Sequence, residues 1–215
     1  MMIDYNKGLF SANMNIYYQY CDNPMMENIY LIDNHFIHTV ANQKSWQKFN
    51  PQLELKVGPI KDILNISLTT GVNYYDSKGL TYHHTFTNWY YRLEASAMYK
   101  NWMALFQVQN QEKSLYGETI SSGEAYHILM LRYKHKDFTI GLMSLNPFAS
   151  KNDYRRPSET RNRYITSNSC WYLRDCSQLY VATLSWNFSF GRKFNSVEKL
   201  LNNEDTKTGS MKTGK

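Results

Sequence analysis

The chain has 215 residues, a formal net charge of +6 and an aromatic content of 15%. This length can bury a core, and ten glycines and five prolines are too few for a collagen-like or low-complexity chain. The tail 191–215 has six basic and three acidic residues, so it contributes half of the net positive charge. The rest of the sequence has no stripe of basic residues, and nucleic-acid binding is therefore not indicated. The sequence contains no run of about 18 apolar residues, so no transmembrane helix is predicted. The strands of a membrane barrel alternate apolar and polar residues and would not be detected by such a run.

An alternation of apolar and polar residues is the main signal in the sequence. Leu184, Trp186, Phe188 and Phe190 fall on one face of a strand, and the serines and asparagine between them fall on the other. Similar alternation, together with one stretch rich in β-forming residues whose faces are not distinct, predicts about nine strands. They are expected at 10–20, 28–40, 53–57, 64–69, 91–99, 102–109, 129–133, 138–142 and 184–190.

Connection lengths in this interpretation alternate between tight and long. The tight ones are 21–25, 58–62, 99–101 and 134–137, and the long ones are 39–48, 76–88, 112–124 and 146–178. An up-and-down sheet with short turns at one edge and long loops at the other gives this order, and outer-membrane barrels have it. Aromatic residues near the strand ends are typical of membrane girdles, although β-propensity alone also enriches them in sheets.

The predicted fold is therefore all-β, an antiparallel up-and-down transmembrane β-barrel that is partial at about nine strands. A bacterial barrel in one chain has an even number of strands. Either one strand is missed, at 1–8 or 164–172, or the chain is the C-terminal part of a larger barrel. The absence of a signal peptide before the first predicted strand favours the second interpretation.

The last predicted strand also carries a family resemblance. LYVATLSWNFSFGRKF (179–194) followed by KLLNNEDTKTG (199–209) resembles the C-terminus of Bacteroidetes outer-membrane β-barrel proteins of the TonB-dependent-receptor-like family. More weakly, YKNW (99–102) and the stretch 42–57 look like that family. The resemblance implies that 1–191 is the C-terminal barrel segment and that 192–215 is a polar periplasmic tail.

The family implies a location in the Gram-negative outer membrane and a share in the uptake of a ligand. The chain would form part of the pore wall and the ligand-facing loops. Its partners would be outer-membrane lipid, the barrel-assembly machinery, and the plug and remaining strands of the same protein, with TonB acting through them. The face with Leu184, Trp186, Phe188 and Phe190 would be the insertion signal, or alternatively an ordinary lipid-facing strand.

Some loop residues are candidates for ligand contact. His83 and His84 lie in a predicted long loop, and Arg155 and Arg156 lie in the longest one. Solvated loop residues are the alternative for both pairs. Cys170 and Cys176 lie in the longest loop as well, where an oxidising extracellular setting would allow a disulfide.

The sequence contains no motif of catalysis or cofactor binding. There is no GxSxG elbow, P-loop, HExxH or Rossmann glycine pattern, and no zinc-ligand spacing. We therefore expect no enzymatic activity, cofactor or metal. The alternatives are a complete small porin or adhesin barrel and a soluble β-sandwich binding module that packs the Trp186 face on a second sheet. An outer-membrane hydrolase would need a Ser or Asp beside His83 or His84.

Overall fold

The computed structural model describes residues 2–150 and 153–188, and it shows an all-β chain with three antiparallel sheets. Within this described part, no helix is long and apolar enough to cross a membrane. Phe190 and the predicted tail 192–215 lie outside the described residues. The strands are β1 Met2–Lys7, β2 Phe10–Asp22, β3 Met25–Ile32, β4 His35–Asn42, β5 Ser45–Ile60, β6 Leu64–Lys78, β7 His83–Tyr99, β8 Trp102–Gln109, β9 Lys113–Tyr116, β10 Thr119–Ser122, β11 Tyr126–His135, β12 Phe138–Leu145, β13 Arg155–Arg161, β14 Thr166–Tyr172 and β15 Leu179–Trp186.

Nine strands form the main sheet, in the order β1-β2-β5-β6-β7-β8-β11-β12-β15. Every neighbouring pair in it is antiparallel, as the alternating pattern predicts. Because nine strands alternate in direction, the two edge strands β1 and β15 run the same way. Each edge has a single neighbour among the described residues, so the described sheet is open.

The predicted strand 28–40 is wrong, because this stretch folds as the separate hairpin β3–β4. Its turn residues Asp33 and Asn34 have φ of 47° and 62°. Positive φ at both central positions suits a two-residue hairpin turn, and Asp and Asn tolerate that conformation better than most residues. The ninth strand of the main sheet is instead β1, in the region 1–8 where a missed strand was considered.

The tight turns predicted at 58–62, 99–101 and 134–137 are confirmed, since they join β5 to β6, β7 to β8 and β11 to β12. The connection at 21–25 instead leads into the β3–β4 hairpin. The long loop predicted at 76–88 is also wrong. Strands β6 and β7 keep pairing out to Lys78 and His83, so only four residues, 79–82, connect them. Continued pairing satisfies the backbone groups that an irregular loop would leave to water.

Successive tight turns are displaced along the sheet in a regular way. Phe10, at the turn end of β2, pairs with Val57 of β5, and Val57 pairs with Ile66 of β6. From Ile66, β6 extends two residues further toward its turn, to Leu64. The β7–β8 turn lies two residues further again, and so does the β11–β12 turn. The turn end of the sheet is therefore displaced by one residue for each successive strand. If all the turns lie at the same height, a displacement of about 3.3 Å for every strand spacing of about 4.8 Å requires the strands to tilt by about 35°.

The register gives the main sheet two different faces. Leu55, Leu68, Leu93 and Val108 are direct neighbours in one row across four strands. We call the face that they share the apolar face and the opposite one the polar face. The apolar face further includes Ile3, Tyr5, Ala12, Met14, Leu53, Val57, Ile66, Ala95, Ala97, Ala104, Phe106, Leu129, Leu131, Ile140, Leu142, Ala182 and Leu184.

Gly58 provides a test of the turn that ends β5. Its φ is +139°, and a Cβ atom there would lie 2.7 Å from the carbonyl oxygen of Leu64. Gly58→Ala should therefore lower the free energy of unfolding by about 1–3 kcal/mol, because both the backbone angle and the space exclude a side chain. The urea midpoint of the β-sheet circular dichroism signal measures this.

Gly123→Ala is the matched control. A Cβ at Gly123 would meet only the carbonyl oxygen of Glu112 at 3.5 Å, an ordinary contact. Equal midpoints for the two variants would show that the turn at Gly58 is not built as described.

Candidate functional site

The polar face of β2, β5, β6 and β7 is lined mainly by polar and charged side chains. On β5, Lys56 Nζ lies 2.8 Å from Glu54 Oε1, and between β7 and β8 Arg92 Nε donates to Gln109 Oε1 at 3.1 Å. Further along the sheet the face is mixed, because Leu105, Met130, Met143 and Val181 share it with polar residues. Its other polar residues are Asp4, Ser11, Asn13, Asn15, Gln52, Asn65, Ser67, Thr69, Glu94, Ser96, Gln107, Arg132, Thr139 and Thr183.

Two polar recesses open on this face. One, of about 190 Å³, is lined by Gln52, Thr69, Tyr90, Arg92 and Glu112 among others. The second recess, of about 280 Å³, lies nearer the tight turns. Its lining includes Ser11, Lys56, Asn65, Ser67, Glu94 and Ser96. Both offer hydroxyl, amide and charged groups of both signs to a hydrophilic solute.

The connections at the long-loop edge fold into a second sheet, which we call the cap. It consists of β9, β10, β13 and β14, in the order β14-β13-β10-β9. Leu115 and Ile120 of the cap are buried against Tyr75, with Trp46 and Phe86 packed beside them. In the strand register, the polar face carries Trp46, Tyr75 and Phe86. The cap, which packs on these residues, therefore covers the loop end of the polar face. Trp46 Nε1 also donates to the carbonyl oxygen of Leu115 at 2.8 Å.

A buried polar network joins the cap to the main sheet and to the β3–β4 hairpin. Asn162 Nδ2 donates to Glu118 Oε2 at 2.6 Å and to the carbonyl oxygen of Ile29 at 3.2 Å. The other oxygen of Glu118 lies 3.6 Å from His84 Nε2, and the His84 ring stacks on Tyr82. Burial raises the pKa of the Tyr82 hydroxyl, so this group stays protonated and neutral.

The predicted histidine pair is separated by the strand. His83 and His84 belong to β7 rather than to a loop and occupy opposite faces. His83 Nε2 bonds Asp76 Oδ1 at 2.8 Å, and Lys78 approaches the same carboxylate at 3.3 Å. Among the described residues no hydroxyl or thiol is hydrogen-bonded to His83. The Asp76–His83 pair therefore lacks the nucleophile that a catalytic triad needs.

The predicted arginines, Arg155 and Arg156, lie on β13 of the cap, Cys170 lies on β14, and Cys176 lies in the connection that follows β14. Arg156 pairs with Glu124, while the carbonyl oxygen of Arg155 accepts a hydrogen bond from Gln111. Arg155 and Cys170 both line a recess of about 430 Å³ beside the cap sheet. Cys170 and Cys176 are free thiols in the structure, so the predicted disulfide is not formed in it.

The predicted insertion signal lies at the edge of the main sheet. Leu184 and Trp186 are on β15, both strongly exposed, and the Trp186 ring contacts Phe138 and Phe188. No described second sheet covers this face. The assignment of Leu184, Trp186 and Phe188 as a signal stays a prediction, and Phe190 lies outside the described residues.

Sequence reasoning missed the residues that hold the cap in place. Glu118 and Asn162 are single polar residues in stretches interpreted as loops, and no spacing or periodicity marks them. Their partners are up to 133 positions away, as with Asn162 and Ile29. The described residues contain no cluster of three or more His, Cys, Asp or Glu side chains that could hold a metal ion.

The chain matches no known protein-family model, and no curated protein or solved structure shows detectable similarity to it.

Removing the Glu118 carboxylate tests the network that anchors the cap. Glu118→Ala removes one of the two hydrogen bonds donated by Asn162 Nδ2 and the carboxylate that lies 3.6 Å from His84 Nε2, which should lower the free energy of unfolding by about 1–3 kcal/mol. Limited proteolysis should then cut the cap strands, within residues 113–122 and 155–172, faster than in the wild-type chain. Glu159→Ala is the control, because Glu159 pairs with Arg161 on a partly exposed surface where a salt bridge contributes little. Cap cleavage at the same rate in both variants would contradict this role for Glu118.

Proposed function

We propose that this chain forms the C-terminal part of a transmembrane β-barrel in a Gram-negative outer membrane. In this proposal it is a segment of a TonB-dependent-receptor-like protein. The apolar face contacts lipid, the polar face lines the pore, and the cap faces the outside of the cell. Its role is to supply pore wall and ligand-facing surface for uptake, together with the plug and the remaining strands, through which TonB acts.

The observation that carries the proposal is a bounded apolar band on the apolar face. At the loop side, exposed aromatic residues end this band on four adjacent strands, and at the tight-turn side exposed aromatics end it again. The first set is Tyr18, Phe49, Tyr74 and Trp89, and the second is Phe10, Tyr99, Trp102, Phe138 and Trp186. Amphipathic rings of this kind are enriched at both membrane interfaces.

The height of the band fits a bilayer. Tyr18 lies eight positions after Phe10 on β2, and Tyr99 lies ten positions after Trp89 on β7. At about 3.3 Å per residue and a tilt of about 35°, these spans rise by about 22–27 Å. The lipid-facing band of outer-membrane barrels is about 25 Å tall, and their strands tilt by about 35–45°.

The edges of the sheet favour a larger barrel over closure of this sheet on itself. The two edge strands β1 and β15 run in the same direction, so joining them would create a parallel pair in an antiparallel sheet. Antiparallel closure requires an odd number of additional strands. A 22-stranded outer-membrane transporter would supply thirteen more, which is odd. Unpaired edges are not tolerated in the hydrocarbon region, so such strands would also satisfy the backbone of β1 and β15.

The position of the cap supports the pore-lining role of the polar face. The cap packs on that face at the loop end, where an inward-folded extracellular loop would narrow a pore. The β-sandwich alternative instead requires a second sheet on the apolar face near Trp186. The described second sheet lies on the opposite face, which favours the barrel.

Arginine substitutions at two neighbouring positions of β6 test the proposal. Leu68 lies on the apolar face near the middle of the band, and Ser67 lies on the polar face. Leu68→Arg should destabilise the liposome-inserted chain by about 2–4 kcal/mol, because a charge at the bilayer midplane loses its hydration. Ser67→Arg should cost less than about 1 kcal/mol, since its side chain reaches water.

The readouts are the fraction of chain incorporated into liposomes and the urea midpoint of the incorporated β-sheet. Equal effects of Leu68→Arg and Ser67→Arg on incorporation and on the urea midpoint would contradict the proposal.

A further inference from the structure

One of the two recesses on the polar face holds two opposite charges that do not pair with each other. Its volume is about 190 Å³, and its lining includes Arg92 and Glu112, which are both exposed. Neither side chain forms an ion pair with any residue in the described part of the chain. Both charges are therefore available to a ligand.

Arg92 lies at the tight-turn end of this recess, where Gln109 positions its guanidinium. Arg92 Nε donates to Gln109 Oε1 at 3.1 Å, and Gln109 Nε2 donates in turn to the carbonyl oxygen of Glu124 at 3.4 Å. The two Nη groups of Arg92 have no hydrogen-bond partner among the described residues. A guanidinium held in this way still offers a planar pair of donors, which binds a carboxylate through two parallel hydrogen bonds.

Glu112 lies at the other end of the recess, nearer the cap. Its Oε1 accepts a hydrogen bond from Asn73 Nδ2 at 2.9 Å, and Asn73 lies directly opposite Asn88 in the register. Arg92 is four residues beyond Asn88 on β7, which is about 13 Å along the strand. The second oxygen of Glu112 has no hydrogen-bond partner among the residues that the structure describes. It can accept a hydrogen bond from an ammonium group.

The ring of Tyr90 lies between the two charges. Tyr90 precedes Arg92 by two residues on the same face, and its hydroxyl is within electrostatic reach of both Glu112 and Arg92. A Cβ atom at Gly71 would lie 2.6 Å from the Tyr90 hydroxyl oxygen and 2.8 Å from its Cζ atom. The ring therefore leans over β6 where that strand has no side chain, and Asn50 Nδ2 donates to the hydroxyl at 3.1 Å. A ring held in this position offers an apolar surface between the charged ends.

The surrounding charges leave each end of the recess with its own sign. The charged residues on neighbouring positions are Lys48, Glu54, Lys56, Glu94 and Lys113, and the recess lining includes none of them. Glu54 and Lys56 pair with each other, and Lys113 lines the separate recess beside the cap sheet. A ligand with charge of one sign would be attracted at one end and repelled at the other, whereas a zwitterion would be attracted at both.

We infer that this recess binds a short peptide as a zwitterion. The carboxylate of the peptide pairs with the Nη groups of Arg92, its ammonium group pairs with Glu112, and an apolar side chain between them packs on Tyr90. An extended peptide of about three residues spans about 10–11 Å, which fits the interval once the Arg92 and Glu112 side chains reach into it. The inference rests on the proposed function, because it makes short peptides the ligands that the pore wall contacts during uptake.

Peptides with one blocked end test the inference. The full chain is refolded in detergent, and isothermal titration calorimetry measures its binding of trialanine, N-acetyl-trialanine and trialanine amide. Trialanine should bind about tenfold more tightly than either blocked peptide, because each block removes one charge-assisted pair. Arg92→Gln should remove the preference for the free carboxylate, and Glu112→Gln should remove the preference for the free ammonium group.

Arg132→Gln and Glu94→Gln are the matched controls, since both residues lie on the polar face outside the lining of this recess. Each control variant should keep both preferences. Equal binding of the three peptides by the wild-type chain, no binding of trialanine, or the same loss of preference in a control variant would overturn the inference.

The peptide measurement and the arginine substitutions on β6 fail independently. If Leu68→Arg and Ser67→Arg differ as expected while the three peptides bind equally, only the peptide site is contradicted. If those two variants have equal effects while trialanine is still preferred, only the lipid-facing role of the apolar face is contradicted.

Discussion

Continuous backbone pairing across nine antiparallel strands is the constraint on which the rest of this structure depends. Side chains alternate between faces with a period of two, so one fixed register decides the face of every residue in the sheet. From β5 to β8 the register has a single irregularity, between Val57 and Ile60 next to a tight turn. The apolar residues of separate strands therefore meet in common rows, and a one-residue slip in any pair would disperse them.

The same ladder positions the cap. Strands β5, β6 and β7 keep their alternation beyond the apolar band. At the loop end of the polar face, the side chains on these strands are therefore the aromatic Trp46, Tyr75 and Phe86. There they meet Leu115 and Ile120, and the buried Glu118 and Asn162 complete the contact with hydrogen bonds. The small buried core of the described chain thus lies between the cap and the main sheet, while the large apolar face of the sheet stays uncovered.

The sequence predicted the parts of the fold that depend on local patterns. Clean alternation located β2, β7 and β8, and short polar stretches located the turns at Gly58, Lys100 and Lys136. The stretch 28–40 was misassigned because its two faces are not distinct, and only the Asp33–Asn34 turn marks it as a hairpin. The cap could not be predicted, because Glu118, Asn162 and Ile29 meet through contacts between distant parts of the chain.

Site-directed spin labelling along β7 is the most direct test of the two-faced membrane sheet. Single cysteines would be placed in turn at positions 91–97, in a background where Cys21, Cys170 and Cys176 are serine, and labelled in liposomes. The proposal predicts that labels at Tyr91, Leu93, Ala95 and Ala97 are accessible to oxygen dissolved in the bilayer. Labels at Arg92, Glu94 and Ser96 should instead be accessible to a water-soluble nickel chelate. Uniform access of the chelate to all seven positions would contradict a lipid-facing surface.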